Sequence, residues 1–282
     1  MSFNKSIKSD ALILLKNNWL KVIGITLIWA LVFGLSFLVE TSVYIINSDN
    51  NFQVADILNN FIFEKSGNIK LTSSLIIFLI ISIVIDLIYC LIVSVLKMGD
   101  INWNYLTIFN KSNDFNNIFN YFSCFKNIIK SWYISCQIFF RQVFWFVIIF
   151  SAPVLVSVWS LVATTHQSQI INKYLISFGY ILSFFLVIAA SLTCIIFFQR
   201  YMLTRYLLVS GECKKTRQAI KLSIKIMKNK KLDYIFLLIS FLGWVISCLF
   251  IVPIFFVLPY IKITSALYSR YIVEEYKKNN NI

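Results

Sequence analysis

The chain has 282 residues, of which 59% are hydrophobic, 17% aromatic and only 13% charged. Soluble domains carry about 25% charged residues, so this composition excludes an ordinary water-soluble domain and points to a bilayer. Three prolines and seven glycines suit helices better than the short alternating strands of a membrane barrel, and the net charge of +14 is spread between apolar runs, which favours an anionic membrane face over nucleic acid.

The first apolar run, 19–39, is long enough to cross a hydrocarbon core. It is too long for the apolar region of a signal peptide and is followed by no small-x-small cleavage site, which argues against removal. Lys5, Lys8, Lys16 and Lys21 surround its start, with Asp10 the only acid. The segment 40–70 instead carries Glu40, Asp49, Asp56 and Glu64 against Lys65 and Lys70. The positive-inside rule therefore places the amino terminus in the cytoplasm. In the outer segment Val54, Ile57, Leu58, Phe61 and Ile62 predict a short helix capping the outer face.

The second span, 71–96, contains one acid, Asp86, with Ser82, Tyr89, Cys90 and Ser94 on the same helical face. An ionised carboxylate in the membrane centre costs ~2.5–3.5 kcal/mol on insertion scales. Asp86 is therefore expected to be protonated, paired or turned to a wet cavity. It reads either as a proton- or cation-coupled site or as a polar contact that fixes helix packing. Arg141, near the inner end of the third span, is the candidate partner; its alternative is a guanidinium snorkelling to the phosphate layer.

Segment 98–130 places Phe115, Ile118, Phe119, Phe122 and Ile129 at helical spacings, predicting an amphipathic helix on the inner surface. Spans 137–162 and 174–198 follow, separated by a polar loop that holds the only histidine, His166. In 213–231, Arg217, Lys221, Lys225 and Lys228 form a basic face beside Ile220, Ile224 and Met227, which predicts a helix on an anionic lipid surface.

The last apolar stretch, 234–261, is 28 residues long, too many for one untilted span. A single crossing would leave Lys262, Arg270, Lys277 and Lys278 outside, against the charge rule. A turn near Pro253, with Pro259 kinking the returning helix, gives spans 234–252 and 254–273 and returns the carboxyl terminus to the cytoplasm. Gly243 beside Trp244 is expected to let a neighbouring helix approach closely. Lys-Asn pairs before the membrane in "LLKNNWLKVIGI", "FKNIIKSWYI" and "IMKNKKLDYIFL" suggest three helical hairpins in series. The fold class is all-α: about six transmembrane helices in a single membrane domain over 1–282, with amphipathic cytoplasmic helices.

"IMKNKKLDYIFLLISFLGW" followed by "LPYIKITSALYSRY" resembles the carboxyl-terminal signature of the domain-of-unknown-function 975 family of bacterial membrane proteins. Ser240, Phe241, Gly243, Trp244, Pro259, Tyr260, Ala266 and Tyr268 stand at the signature positions, and "LKNNW" and "RYMLTRYLLVSGE" extend the likeness. The family's frequent Pro-Gly-Ile turn between its third and fourth helices is missing. In its place stands "SAPVLVSVWSLVATTHQSQIINKY". The resemblance implies architecture and a bacterial membrane setting, and no catalytic residues.

The six cysteines show no CxxC spacing, so free thiols are expected, not a disulfide framework. No metal-ligand cluster, Gly-rich phosphate loop, HExxH motif or catalytic triad can be assembled, and no cofactor is implied. The expectation is a non-enzymatic accessory, protective or scaffolding component of the bacterial cytoplasmic membrane. It would act through anionic lipid or another membrane protein. The alternative is a small carrier or permease using Asp86.

Overall fold

A computed structural model describes residues 3–16, 18–48, 73–109, 114–165 and 170–280, and every regular element among them is helical. In chain order they are α1 (Phe3–Lys16), α2 (Trp19–Ser48), α3 (Ser73–Phe109), α4 (Phe125–Thr165), α5 (Ile170–Phe198), α6 (Met202–Val209), α7 (Thr216–Ile226), α8 (Lys231–Ile239), α9 (Leu242–Ser247) and α10 (Ile251–Asn279). Short 3-10 turns occupy Phe115–Phe119 and Gln199–Tyr201. Five helices contain stretches long and apolar enough to cross a membrane: Trp19–Ser42, Ile80–Phe109, Phe125–Thr164, Tyr174–Val209 and Val252–Asn279.

Helices α3 and α4, with 37 and 41 residues, run ~55 and ~60 Å at 1.5 Å per residue. A hydrocarbon core is ~30 Å thick, so both project well beyond it. The amphipathic helix expected over 98–130 is therefore replaced by three pieces. Residues 98–109 continue α3, because Met98 and Trp103 bury one face of it; Phe115–Phe119 is a 3-10 turn; and Phe125 already opens α4. Pro153 lies inside α4, which continues to Thr165. His166 and the cap expected around 54–62 lie outside the described residues.

The expected span 234–252 is not one helix. It breaks at Ser240 and Phe241, where the Phe241 N–H donates to the Leu238 carbonyl, three residues back, and the Ser240 hydroxyl turns back to the Leu237 carbonyl. The chain reverses at Cys248–Phe250, slightly before the expected position, and Pro253 falls in the first turn of α10, where its missing N–H is no loss. Pro259 sits inside α10 as expected.

The core gathers at one end of the molecule. One cluster joins Ile7 of α1, Ile134 and Ile138 of α4, and Leu203 and Leu207 of α6 to Ile220, Met227, Phe241 and Tyr268. A second joins Ala11 and Leu15 of α1 to Val22, Ile25, Leu96, Trp103, Ile118 and Ile263. Helix α1, which the charge pattern alone did not announce, buries Ile7, Ala11 and Leu15 at four-residue spacing. Helix α7 likewise buries Ala219, Ile220, Ser223 and Ile226. Its Arg217, Lys221 and Lys225, and Lys228 in the turn after it, are exposed, but its apolar face packs on protein and is not free to lie in lipid. Gly211, at φ 79°, takes the left-handed conformation that lets the chain turn after α6.

Away from this layer the helices are apolar and largely exposed, with Leu31, Phe33, Leu35, Phe140, Phe144, Leu155, Phe178 and Phe184 among the exposed residues. Two close approaches, one in the layer and one away from it, depend on glycine. A Cβ on Gly99 would collide with the Ile118 carbonyl oxygen, and one on Gly179 with the Ser160 hydroxyl between α4 and α5. Gly243 meets no neighbouring atom within 4 Å, and Trp244 beside it is exposed, so the close helix contact expected there is not made. Gly99→Ala and Gly179→Ala are each expected to destabilise the detergent-solubilised chain by ~1–3 kcal/mol, the usual range for overpacking. Gly243→Ala should leave the thermal unfolding midpoint nearly unchanged; a loss equal to that of Gly99→Ala would contradict this packing.

Candidate functional site: a charged centre where cavities meet

Where α3 leaves the apolar layer it carries Lys97, Asp100 and Asn104 on adjoining turns. The Asp100 side chain is nearly buried, and both its oxygens are engaged. Oδ2 lies 2.6 Å from Lys262 Nζ of α10, and Oδ1 accepts a hydrogen bond from Asn104 Nδ2 at 3.0 Å. Lys262 also stands over the Trp29 ring of α2, 5.1 Å from its centroid. One carboxylate thus ties α3 to α10, and its partner cation rests against α2.

Three cavities border this centre. The largest, ≈ 520 Å³, is an apolar groove between α2 and α10, lined by Trp29, Ala30, Phe33, Phe255 and Leu258, with Lys97, Asp100 and Lys262 at its polar end. A second, ≈ 310 Å³, runs between α3 and α10 past Asn104, Tyr206, Tyr234 and Ser265. A third, ≈ 320 Å³, lies between α3 and α4 and is lined by Ser94, Ser135, Gln142 and Arg205. Lys97 lines all three.

The donors here outnumber the acceptors. Asp100 is taken by Lys262, and Lys97 has no ion pair among the described residues. Arg205 Nη2 donates only a long hydrogen bond, 3.4 Å, to Ser135 Oγ, while its Nε is buried without a partner. Trp29 Nε1 is also buried without a partner.

Beside the centre, α1 is fastened to the last hairpin. Lys8 Nζ donates to the Ser240 carbonyl at 2.9 Å and stands 4.0 Å from the centroid of the Phe241 ring. The Tyr260 hydroxyl donates to the Lys8 carbonyl at 3.4 Å, and Phe241 meets Tyr260 edge to face at 4.9 Å. Partial burial pushes the Lys8 amine below its ordinary range. Two further tyrosines lock the layer: Tyr234 donates to Ser265 Oγ at 3.2 Å, and Tyr268 to the Lys230 carbonyl at 3.1 Å. Ion pairs Lys230–Glu275 and Lys277–Glu212 hold the end of α10 to the loops around α6 and α7.

Residues 1–276 match the family model described as Protein of unknown function (DUF975). The chain belongs to that family. No curated protein and no solved structure matches it. Ser240, Phe241 and Tyr260, among the residues on which the sequence resemblance rested, are the ones that meet Lys8, and Tyr268 belongs to the tyrosine lock.

Asp86 and Arg141 are not brought together. Asp86 is exposed on α3 and Arg141 exposed on α4, and neither has an ion pair among the described residues. Gln142 and Cys136 face the α3–α4 cavity with Cys90, whereas Arg141 lies beside Phe144, Trp145 and Tyr201. A helix turns 100° between neighbouring residues, and that step turns Arg141 off the α3-facing side. The described residues hold no cluster of three or more His, Cys, Asp or Glu suited to a metal, and their cysteines are free. The centre itself left a faint trace in the sequence. Lys97, Asp100 and Asn104 recur at three and four at the end of an apolar run, and Lys262 is the first charge after another.

The Asp100–Lys262 pair yields a double-mutant test. Asp100→Asn strands a cation that is still one-third exposed, so a loss of ~2–4 kcal/mol is expected, below the full range for buried pairs. In a Lys262→Gln background the same change should cost much less. Additive losses in thermal melts would show that the pair does not couple α3 to α10.

Proposed function

We propose that this DUF975 protein is a non-enzymatic accessory or scaffolding component of the bacterial cytoplasmic membrane, with both termini in the cytoplasm, acting through a partner membrane protein. The observation that carries this reading is Asp86. It lies fourteen residues before Asp100 on α3, ~20 Å deeper along the helix axis. There it is exposed and unpaired among the described residues. A carboxylate facing hydrocarbon is expensive, and a polar or basic side chain from a second polypeptide relieves that cost. A carrier would need Asp86 turned toward an internal path, which its outward exposure does not favour.

Topology follows from charge and helix length. Helices α2 to α5 make four crossings, and ten Lys and Arg residues between Arg200 and Lys231 hold the following layer at the cytoplasmic side. In place of the fifth and sixth spans expected from the sequence, this reading has a third hairpin of reduced depth. Phe241 and Tyr260 touch across it, and its turn lies only about ten residues from either, ~15 Å against a ~30 Å hydrocarbon core. At the turn Leu249 and Phe250 are 83% and 77% exposed, a poor surface for water and a good one for acyl chains. Cys248, Leu249 and Phe250 donate their backbone N–H groups to Val245, Ile246 and Ser247, which makes the turn tolerable in lipid.

Two experiments test the proposal. A photocrosslinker at Leu87 should capture a protein partner in intact membranes, and Asp86→Lys should abolish capture. No adduct, together with greater stability of Asp86→Asn, would sink the partner reading. In a chain whose native cysteines are replaced, Leu249→Cys should resist membrane-impermeant maleimide from either side, and Asn279→Cys should react only after permeabilisation. Labelling of residue 249 from outside would establish a full sixth crossing instead.

A further inference from the structure

Resting on the membrane reading, we propose that the cavities meeting at Lys97 hold one anionic phospholipid. Its phosphate is bound by Lys97 and Arg205, and an acyl chain lies in the groove between α2 and α10. Three observations converge on this. The groove is apolar along α2 and α10 and becomes charged only at Lys97, Asp100 and Lys262, the polarity profile of a lipid. Its ≈ 520 Å³ lies within the size range of ligand sites. The charges at its end do not balance. Lys97 and Lys262 at its end, with Arg205 in the α3–α4 cavity that Lys97 also lines, outnumber the single carboxylate of Asp100, whose oxygens are occupied by Lys262 and Asn104.

The unsatisfied groups specify the ligand's chemistry. Arg205 Nε and Trp29 Nε1 are buried donors without acceptors, on either side of Lys97. Buried donors are normally paired, and leaving them unpaired is costly. An oxygen-rich anion supplies acceptors and neutralises the excess charge together. A guanidinium beside an ammonium suits phosphate. The basic face of α7 is a different feature, exposed and outside these cavities.

The test is native mass spectrometry of the full chain in a gentle detergent, titrated with dioleoylphosphatidylglycerol, dioleoylphosphatidylcholine or inorganic phosphate alone. A one-to-one phosphatidylglycerol adduct is expected, at least about tenfold tighter than the phosphatidylcholine adduct and weakened by about tenfold or more in Lys97→Gln/Arg205→Gln. Lys221→Gln/Lys225→Gln, which removes the same charge from α7, should bind as the parent does. Ala30→Trp fills the groove and leaves every charge in place, so it should also lose the adduct. That variant decides the matter if the charge variant does not purify folded.

Equal retention of the two lipids, or an adduct that survives Ala30→Trp, overturns the proposal. Phosphate alone binding with the same Lys97 dependence and indifferent to Ala30→Trp would reassign the centre to a free anion and likewise overturn it. Failure of the membrane reading shows separately, as release of the chain from membranes by alkaline carbonate.

Discussion

Hydrocarbon gives two apolar helices no hydrophobic reason to pack, because lipid tails are as apolar as leucine. That constraint organises this molecule. In the stretches suited to crossing, most large side chains stay exposed, and one close approach, Gly179 against Ser160, depends on a glycine. Beyond the apolar layer, water restores the hydrophobic drive. There α1, α6, α7 and the second half of α10 bury their apolar faces against the ends of α3 and α4. The fold is specified in the juxtamembrane layer, and the spans are carried by it.

This division explains why the polar contacts lie where they do. Asp100–Lys262, the hydroxyls of Tyr234, Tyr260 and Tyr268, and the ion pairs of Lys230 and Lys277 all belong to the layer. They are directional, and they join elements distant in sequence: Lys8 to Ser240 and Tyr260, Asp100 to Lys262, Glu212 to Lys277. Apolar burial alone would tolerate α10 at several registers against α3. A half-buried charge pair with both carboxylate oxygens occupied tolerates far fewer.

The parts legible in the sequence were those governed by one-dimensional quantities. Apolar run length located the helices that became α2 to α5, and Ser240, Phe241, Pro259 and Tyr260 carried the family likeness. What failed was governed by contact. The surface helix over 98–130 was unforeseeable because Gly99 and Trp103 make the end of α3 a packing surface, visible only once Ile118 is placed against it. Asp86 drew attention by lying inside an apolar run, whereas Asp100, at the end of one, resembled an ordinary interfacial charge until Lys262 was brought beside it. Gly243 beside Trp244 read as a packing pair, yet the close approaches that a Cβ would block are at Gly99 and Gly179.

The same layer also determines how deep the last hairpin can go. Its two arms are clamped at Phe241 and Tyr260, and the clamp is fixed to α1 through Lys8, a residue on the amino-terminal side of the first span. From that anchored level each arm has only about ten residues before the turn, so depth is limited by chain length, whatever the hydropathy of the segment. The long apolar groove beneath α2 borders the same hairpin. The arm opening with Ile251, which carries Pro259 within its helix, leaves a gap against Trp29, Ala30 and Phe33 that no side chain of the described residues fills. The gap is apolar along its length and presents Lys97 at its far end. Helix α10 thus meets Phe241 through Tyr260 and walls the groove through Phe255 and Leu258.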